Sequence, residues 1–536
     1  MIICENCGTK REGARLACPG CGQTVPNPNA ERTAQPAPAL ADTSPDPTAI
    51  INSQHKKKPR KLTPRLIALL VLLLCAVGYL TYNMIWSEDW RAGVSALFDR
   101  METLSLPGKG TQDAPYRIGS AEDLARLADM VSKGKDYTGC YFELTQDIDL
   151  TKYLEKSQTG WTPIGSKDAP FSGVFNGAGH EITGLWIDCE SQIGIGLFGY
   201  ALFADICDLH VQTAGNGIVI RGEESGFISI LVGRMDGGSI VDCLVSGKIN
   251  ISAPDDPTSK KLTAVGGLIG LQIKESSIIH CSAQIDIIVA APGSNTVGGL
   301  IGTSTGGRIL DCWTDAIIEL HDGEFDAGGL VGFLVESTVC NSYASGRLTL
   351  EGSKINAGGL ISAAMSGDID CCYATVDILA RGNDVMVGGL ISGYIFGTIG
   401  NCFATGSVTA YGPQIGAGGL VGIADKARDG EEIIKNCYAI GQVKADGEFA
   451  EAGGLFGMAS GDVVSGCYYN TESTGQLYFA GKGSWLLVDN WPEGKKTAEM
   501  LKKETYSGWD FDTIWYMPES GYPRLRGADS LPITLD

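Results

Sequence analysis

Apolar and polar positions alternate in short runs along most of this chain. The clearest run is Asn436-Cys437-Tyr438-Ala439-Ile440-Gly441-Gln442-Val443. With a period of two, Cys437, Ala439, Gly441 and Val443 share one face of a strand, and Tyr438, Ile440, Gln442 and Lys444 the other. The first face is small and apolar, as a narrow interior requires. The run returns as Asn401-Cys402-Phe403-Ala404-Thr405-Gly406-Ser407-Val408. It also returns as Asn341-Ser342-Tyr343-Ala344, where Ser takes the Cys place and Cys340 lies two residues earlier, on the same strand face. About ten residues ahead of each run stands a glycine-rich pattern, Gly-Gly-Leu followed by Ile, Val or Phe and then Gly or Ser. Its copies start at Gly266, Gly298, Gly328, Gly358, Gly388, Gly418 and Gly453, and two degenerate copies start at Gly196 and Ile230. The glycines recur too often to be phosphate cradles and read as turn and packing positions.

A unit with one apolar face cannot bury it alone, so successive units must stack, with equivalent side chains in ladders roughly 4.8 Å apart. The pattern predicts a mainly β fold, a parallel β-helix or related solenoid of about nine repeats of ~30 residues. A compact sandwich is the alternative, and the near-constant period of the central copies argues against it. Two helical patterns flank the array. Ser120-Ala121-Glu122-Asp123 opens a cap helix with Leu124, Leu127, Ala128 and Val131 on one face. Trp90, Val94, Leu97, Phe98, Met101 and Leu104 mark a second amphipathic helix.

Leu66 to Trp86 is an uncharged run of 21 residues, long enough as a helix to span roughly 31 Å of hydrocarbon. Lys56, Lys57, Lys58, Arg60, Lys61 and Arg65 precede it, and Glu88 and Asp89 follow, so the positive-inside rule places the N-terminus in the cytoplasm. The length of the apolar core and of the segment before it argues against a cleaved signal peptide. Ahead of this run, Cys4-Glu5-Asn6-Cys7 and Cys18-Pro19-Gly20-Cys21 form two CxxC knuckles, a spacing that suits one structural Zn²⁺ held by Cys4, Cys7, Cys18 and Cys21. The alternative is a pair of redox CxxC motifs, for which no surrounding βαβ pattern is present. The Cys pattern resembles the short bacterial zinc-ribbon family, which often stands at the N-terminus of membrane proteins.

The repeats resemble the GLUG motif of bacterial surface proteins, including adhesin-like proteins and immunoglobulin-A peptidases. The flanks agree: Trp161-Thr162-Pro163-Ile164-Gly165 and Phe171-Ser172-Gly173-Val174-Phe175-Asn176-Gly177 resemble the segment that precedes such repeats, and Gly521-Tyr522-Pro523-Arg524-Leu525 the one that closes them. The resemblance implies a surface location and binding roles, with no single agreed activity. The resulting organisation is a zinc ribbon over 1–24 and a disordered Pro-rich, basic linker over 25–65. A transmembrane helix over 66–86 and a juxtamembrane amphipathic helix over 87–106 follow. An N-terminal cap over 107–190, the repeat solenoid over 191–475 and a C-terminal capping segment over 476–536 complete it. Charge supports the division. Residues 1–65 hold 10 Lys/Arg against 5 Asp/Glu, whereas everything beyond 86 holds 31 against 57. Such an acidic ectodomain excludes nucleic acid as its expected partner.

Signatures of catalysis are missing. Glu181 follows His180, but no second His completes a zinc-protease motif, and there is no GxSxG elbow or Walker loop. Asp242, Asp311, Asp368, Asp370, Asn341, Asn401 and Asn436 recur near one turn, where such residues form turns by bonding to the backbone. The regularly spaced cysteines read as small buried hydrophobes, with some bridges as the alternative. The outward column Trp313, Tyr343, Tyr373, Phe403, Tyr438 and Tyr468 is a candidate aromatic stripe for a glycan or protein ligand if exposed, and a packed row under a loop if not. The expected function is a non-catalytic, membrane-anchored binding or adhesion module on the cell surface. A polysaccharide-acting β-helix enzyme and a transmembrane sensor coupled to the ribbon are the alternatives.

Overall fold

The structure is a computed structural model that describes residues 106–527 apart from 191–192, 223–225, 253–261, 425–433, 460–463 and 482–491, together with the backbone of 2–3 and 10–11. The zinc ribbon, the linker, the span over 66–86 and the juxtamembrane helix therefore fall outside the described residues, except for that hairpin backbone and Leu106. Among the described residues no helix is long and apolar enough to cross a membrane. Ile2–Ile3 pairs antiparallel with Lys10–Arg11, Ile2 facing Arg11, so a short hairpin brackets Cys4 and Cys7.

The described strands between 116 and 495 build one parallel sheet, wound as a stack of about ten turns. One coil shows the plan. Val331–Val335, Thr338–Cys340 and Tyr343–Gly358 are its strands. In the next coil they meet Ile361, Asp368 and Tyr373 in parallel register. From Trp313 through Tyr343 and Tyr373 to Phe403 the spacing is 30 residues per coil, as the sequence pattern requires.

Two corners of this coil are left-handed. Glu336 has φ 46° before the second strand and Asn341 has φ 49° before the third. The second corner repeats as Asp208, Asp242, His280, Asp311, Asn341, Cys371, Asn401 and Asn436, all with φ between 49° and 55°. Asp and Asn tolerate that region best, which explains their recurrence. Asp368 and Asp370 do not share this role: they lie within a strand, and Cys371 takes the corner in their coil.

The residue after the corner turns inward and does two jobs. The Cys402 thiol donates to the Gly400 carbonyl at 2.9 Å, and its sulfur accepts the Cys372 N–H from the neighbouring coil at 3.4 Å. Ser342 does the same, donating to the Cys340 carbonyl at 2.7 Å and accepting the Cys312 N–H at 3.1 Å. The column needs a small side chain with a donor and an acceptor, which both residues supply. Ser342 fills the Cys place, as the sequence pattern has it, but the corner at Asn341 parts it from Cys340, which stands level with Leu310 and Asp370 and shares no strand face with it. Cys207 is likewise off the column, level with Val241. All described cysteines beyond residue 106 are free thiols, and burial pushes those of Cys281, Cys312 and Cys402 well up, so they are inert. Cys402→Ser is expected to fold with a loss within about 1 kcal/mol, because Ser342 shows the hydroxyl fits. Cys402→Val, which strands the Cys372 N–H, should lose about 1–3 kcal/mol; denaturant midpoints distinguish the two.

The two sequence motifs meet across the interior. A Cβ on Gly359 would stand 2.0 Å from the Gly389 carbonyl oxygen and 2.9 Å from Ala374 Cβ. The same closeness recurs for Gly329 with Ala344, Gly389 with Ala404 and Gly419 with Ala439. These glycines are required by close approach rather than by backbone angle. The following leucines stack in register, Leu330 N–H to Leu360 O at 2.8 Å and Leu360 N–H to Leu390 O at 2.8 Å, and their side chains are buried. Where Ser replaces the last glycine, the Ser362 hydroxyl donates to the Asn356 carbonyl at 3.0 Å and Ser392 to Met386 at 2.8 Å.

The N-terminal end is closed by the helix Ala121–Ser132. Its Ser120 cap accepts from the Asp123 N–H at 3.2 Å, and Leu124, Leu127, Ala128 and Val131 are buried. The strands of this region already belong to the parallel sheet, Val174–Cys189 pairing with Phe198–Ile220, so the winding starts ahead of residue 191.

Candidate functional site

The outward column of aromatic side chains is a ring stack. Each ring faces the next in register. Centroids are 6.1 Å apart for Trp313 and Tyr343, 4.8 Å for Tyr343 and Tyr373, 4.8 Å for Tyr373 and Phe403, and 5.0 Å for Phe403 and Tyr438, with planes within 8° of parallel. The stacking follows from the winding, since equivalent positions are separated by one strand spacing.

Of the two readings the sequence left open for the stripe, the structure has the packed row for its central members. Tyr343, Tyr373, Phe403 and Tyr438 are buried, and only the end members Trp313 and Tyr468 are half-buried. The cover is the chain's own closing segment. Residues 477–481 first finish the last coil, with Leu455 N–H donating to Phe479 O at 2.9 Å. Residues 497–527 then turn back along the side of the solenoid as a strap. Met500, Tyr506, Trp509, Trp515 and Leu525 of the strap form one apolar cluster with the four covered rings. Polar ties fix it. Trp509 Nε1 donates to the Gly466 carbonyl at 2.8 Å and Trp515 Nε1 to Asn401 Oδ1 at 3.4 Å. The Tyr438 hydroxyl donates to the Pro523 carbonyl at 2.8 Å, and Asn470 Nδ2 to the Tyr522 hydroxyl at 2.7 Å. The physical reason is plain: a row of uncovered rings would leave a large apolar surface in water.

The described part of the strap, which runs to Gly527, stops short of the first ring. There it leaves a cleft of about 620 Å³, with Asp311, Trp313, Asn341 and Tyr343 on the solenoid side and Thr513, Ile514, Leu525 and Arg526 on the strap side. Trp313 closes the stack and has a ring partner on one face only, among the described residues. The next position in its column is Ser282. The Tyr343 hydroxyl is buried without a hydrogen-bond partner among the described residues. His280 stands at the rim, its Nδ1 3.3 Å from Asp242 and its Nε2 3.5 Å from Asp311. Arg526 donates to the Phe511 carbonyl at 2.8 Å. Such a set can stack on a flat ligand and hydrogen-bond its edge.

The sequence brought the six rings and Asp311 to notice, and the structure gathers the rings in one cluster. It did not reveal His280 or Arg526, which the winding and the strap bring in from distant positions. A signal for the strap was present in the density of aromatics at Tyr506, Trp509, Phe511, Trp515 and Tyr522. The predicted zinc ligands Cys4, Cys7, Cys18 and Cys21 lie outside the described residues. Among the described residues no group of three or more His, Cys, Asp or Glu is placed to hold a metal ion.

Comparison with known proteins gives partial likenesses. No family model matches the chain. Over 92 residues it is 41% identical to a "Putative Gly-rich membrane protein" of Evansella cellulosilytica, which covers 17% of this chain and 10% of that protein. Over 201 residues it is 31% identical to Halomucin of Haloquadratum walsbyi, covering 36% of this chain and 2% of that one. The chain thus spans only a small part of these relatives. A crystal structure of "a putative immunoglobulin A1 protease from Bacteroides ovatus" aligns over 78% of this chain and 94% of its own, at 18% identity and a TM-score of 0.36, a likeness that says nothing about activity.

Proposed function

We propose that this chain is a non-catalytic, cell-surface binding module of the GLUG-motif kind, held by one transmembrane helix over 66–86 with its N-terminus in the cytoplasm. The uncharged 21-residue run, the basic residues before it and the acidic balance after it support that topology. The partial likeness to a membrane protein is in keeping with it. On the cytoplasmic side, Cys4, Cys7, Cys18 and Cys21 would hold one structural Zn²⁺, and the hairpin that brackets the first pair suits a zinc knuckle. Outside, the solenoid displays its ligand contact, a glycan or protein, at the open end of the ring stack.

The observation that carries the reading is the cleft at Trp313, where an otherwise covered ring column emerges. The full chain in lipid nanodiscs, applied to glycan and protein arrays, tests it. Binding is expected, and Trp313→Ala should weaken it about tenfold or more, the loss of one stacked aromatic contact. Array binding indifferent to that substitution would refute the assignment.

A further inference from the structure

We infer that the cleft takes a neutral pyranose ring, stacked by its C–H face on Trp313; the inference rests on the reading of this cleft as the ligand contact. The first support is the stack itself. Trp313 lies parallel to Tyr343 within 8°, and the column continues beyond it only as Ser282, too small to cover an indole. A pyranose presents a flat C–H face of matching polarity, so it extends the stack by one member.

The second support is the Tyr343 hydroxyl. It is buried and has no hydrogen-bond partner among the described residues, and its residue lines the cleft. An unmet buried hydroxyl carries a desolvation penalty that a ligand group can relieve. Sugar hydroxyls both donate and accept, so they can satisfy it whichever way it turns. The third support is the lining charge. Asp311 and Arg526 face the same space from opposite walls, with Asn341 between them in kind. The two opposite charges give the lining no single sign to select an ion, and a neutral polyol can hydrogen-bond both. The volume of about 620 Å³ falls within the range of small-molecule sites, roughly 300–1,000 Å³.

Saturation-transfer NMR on the full chain in nanodiscs tests this, with methyl glucopyranoside, methyl galactopyranoside and methyl mannopyranoside as neutral probes. Glucosamine, glucuronate and N-acetyltryptophanamide are the contrasting ones. Transfer to the ring C–H protons of at least one neutral glycoside is expected. Trp313→Ala should abolish it, and Tyr343→Phe, which keeps the stack, should weaken it about tenfold. Phe449→Ala, at an exposed ring on a distant strand, should leave it unchanged. Transfer confined to the charged sugars or to the aromatic amide would overturn the inference, as would transfer insensitive to both cleft substitutions. If no glycoside responds while Trp313→Ala still abolishes array binding, the sugar assignment falls and the binding module stands. If the arrays ignore Trp313, both fall.

Discussion

Trp515→Ala is expected to destabilise the strap by about 3–5 kcal/mol, the usual range for removing a fully buried tryptophan. Trp515 has no exposed surface. Its ring touches Phe403 and Tyr438 at 6.1 Å and Trp509 at 4.4 Å, and its Nε1 ties the strap to Asn401. Without it the strap keeps Tyr506 and Trp509 on Tyr438 and Tyr468 but loses its ring contact with Phe403. The solenoid itself should persist, because each coil is held by its neighbours rather than by the strap. The expected signature is therefore split. Far-ultraviolet circular dichroism stays native while residues 497–527 gain hydrogen exchange and the protein binds a hydrophobic dye. Loss of the β signal together with the strap would show that the strap holds the whole array.

The second large effect is expected at the glycines. Gly359→Ala puts a Cβ 2.0 Å from a backbone oxygen of the next coil, and neither chain can move without breaking the ladder. The loss should be at least 1–3 kcal/mol, the range for an overpacked core, and should appear as a lower denaturation midpoint. Gly393→Ala is the internal comparison. Its Cβ would meet nothing closer than Ile423 at 3.6 Å, so the change should stay within about 0.5 kcal/mol. Equal effects at both positions would mean that the coils are not stacked as closely as the structure has them.

Much of this fold was legible because a solenoid repeats its local rules. The alternation of Cys437 and Ala439 with Tyr438 and Lys444 assigned the inner and outer faces correctly, as the buried Cys437 and Ala439 and the exposed Lys444 show. The period set the coil length. Identity at the corners was harder to read. His280 and Cys371 share the backbone angle of Asp311 and Asn341 without their chemistry, so only the winding reveals that they are equivalent. The fate of the stripe was least legible of all. Period two says that Tyr373 and Phe403 point out of the solenoid, and they do. It cannot say what lies on top of them, because the cover comes from a non-repeating segment more than a hundred residues later. The same limit hid the cleft, half of which is strap.

The central claim is that, among the described residues, the ring column is closed along its length and open at Trp313. Hydroxyl-radical footprinting of the full chain, read by peptide mass spectrometry, tests it directly. Trp313 should be oxidised readily, with Tyr343, Tyr373, Phe403 and Tyr438 protected until the strap is released by Trp515→Ala. Oxidation of Tyr373 and Tyr438 in the unaltered protein at the rate of Trp313 would contradict the account.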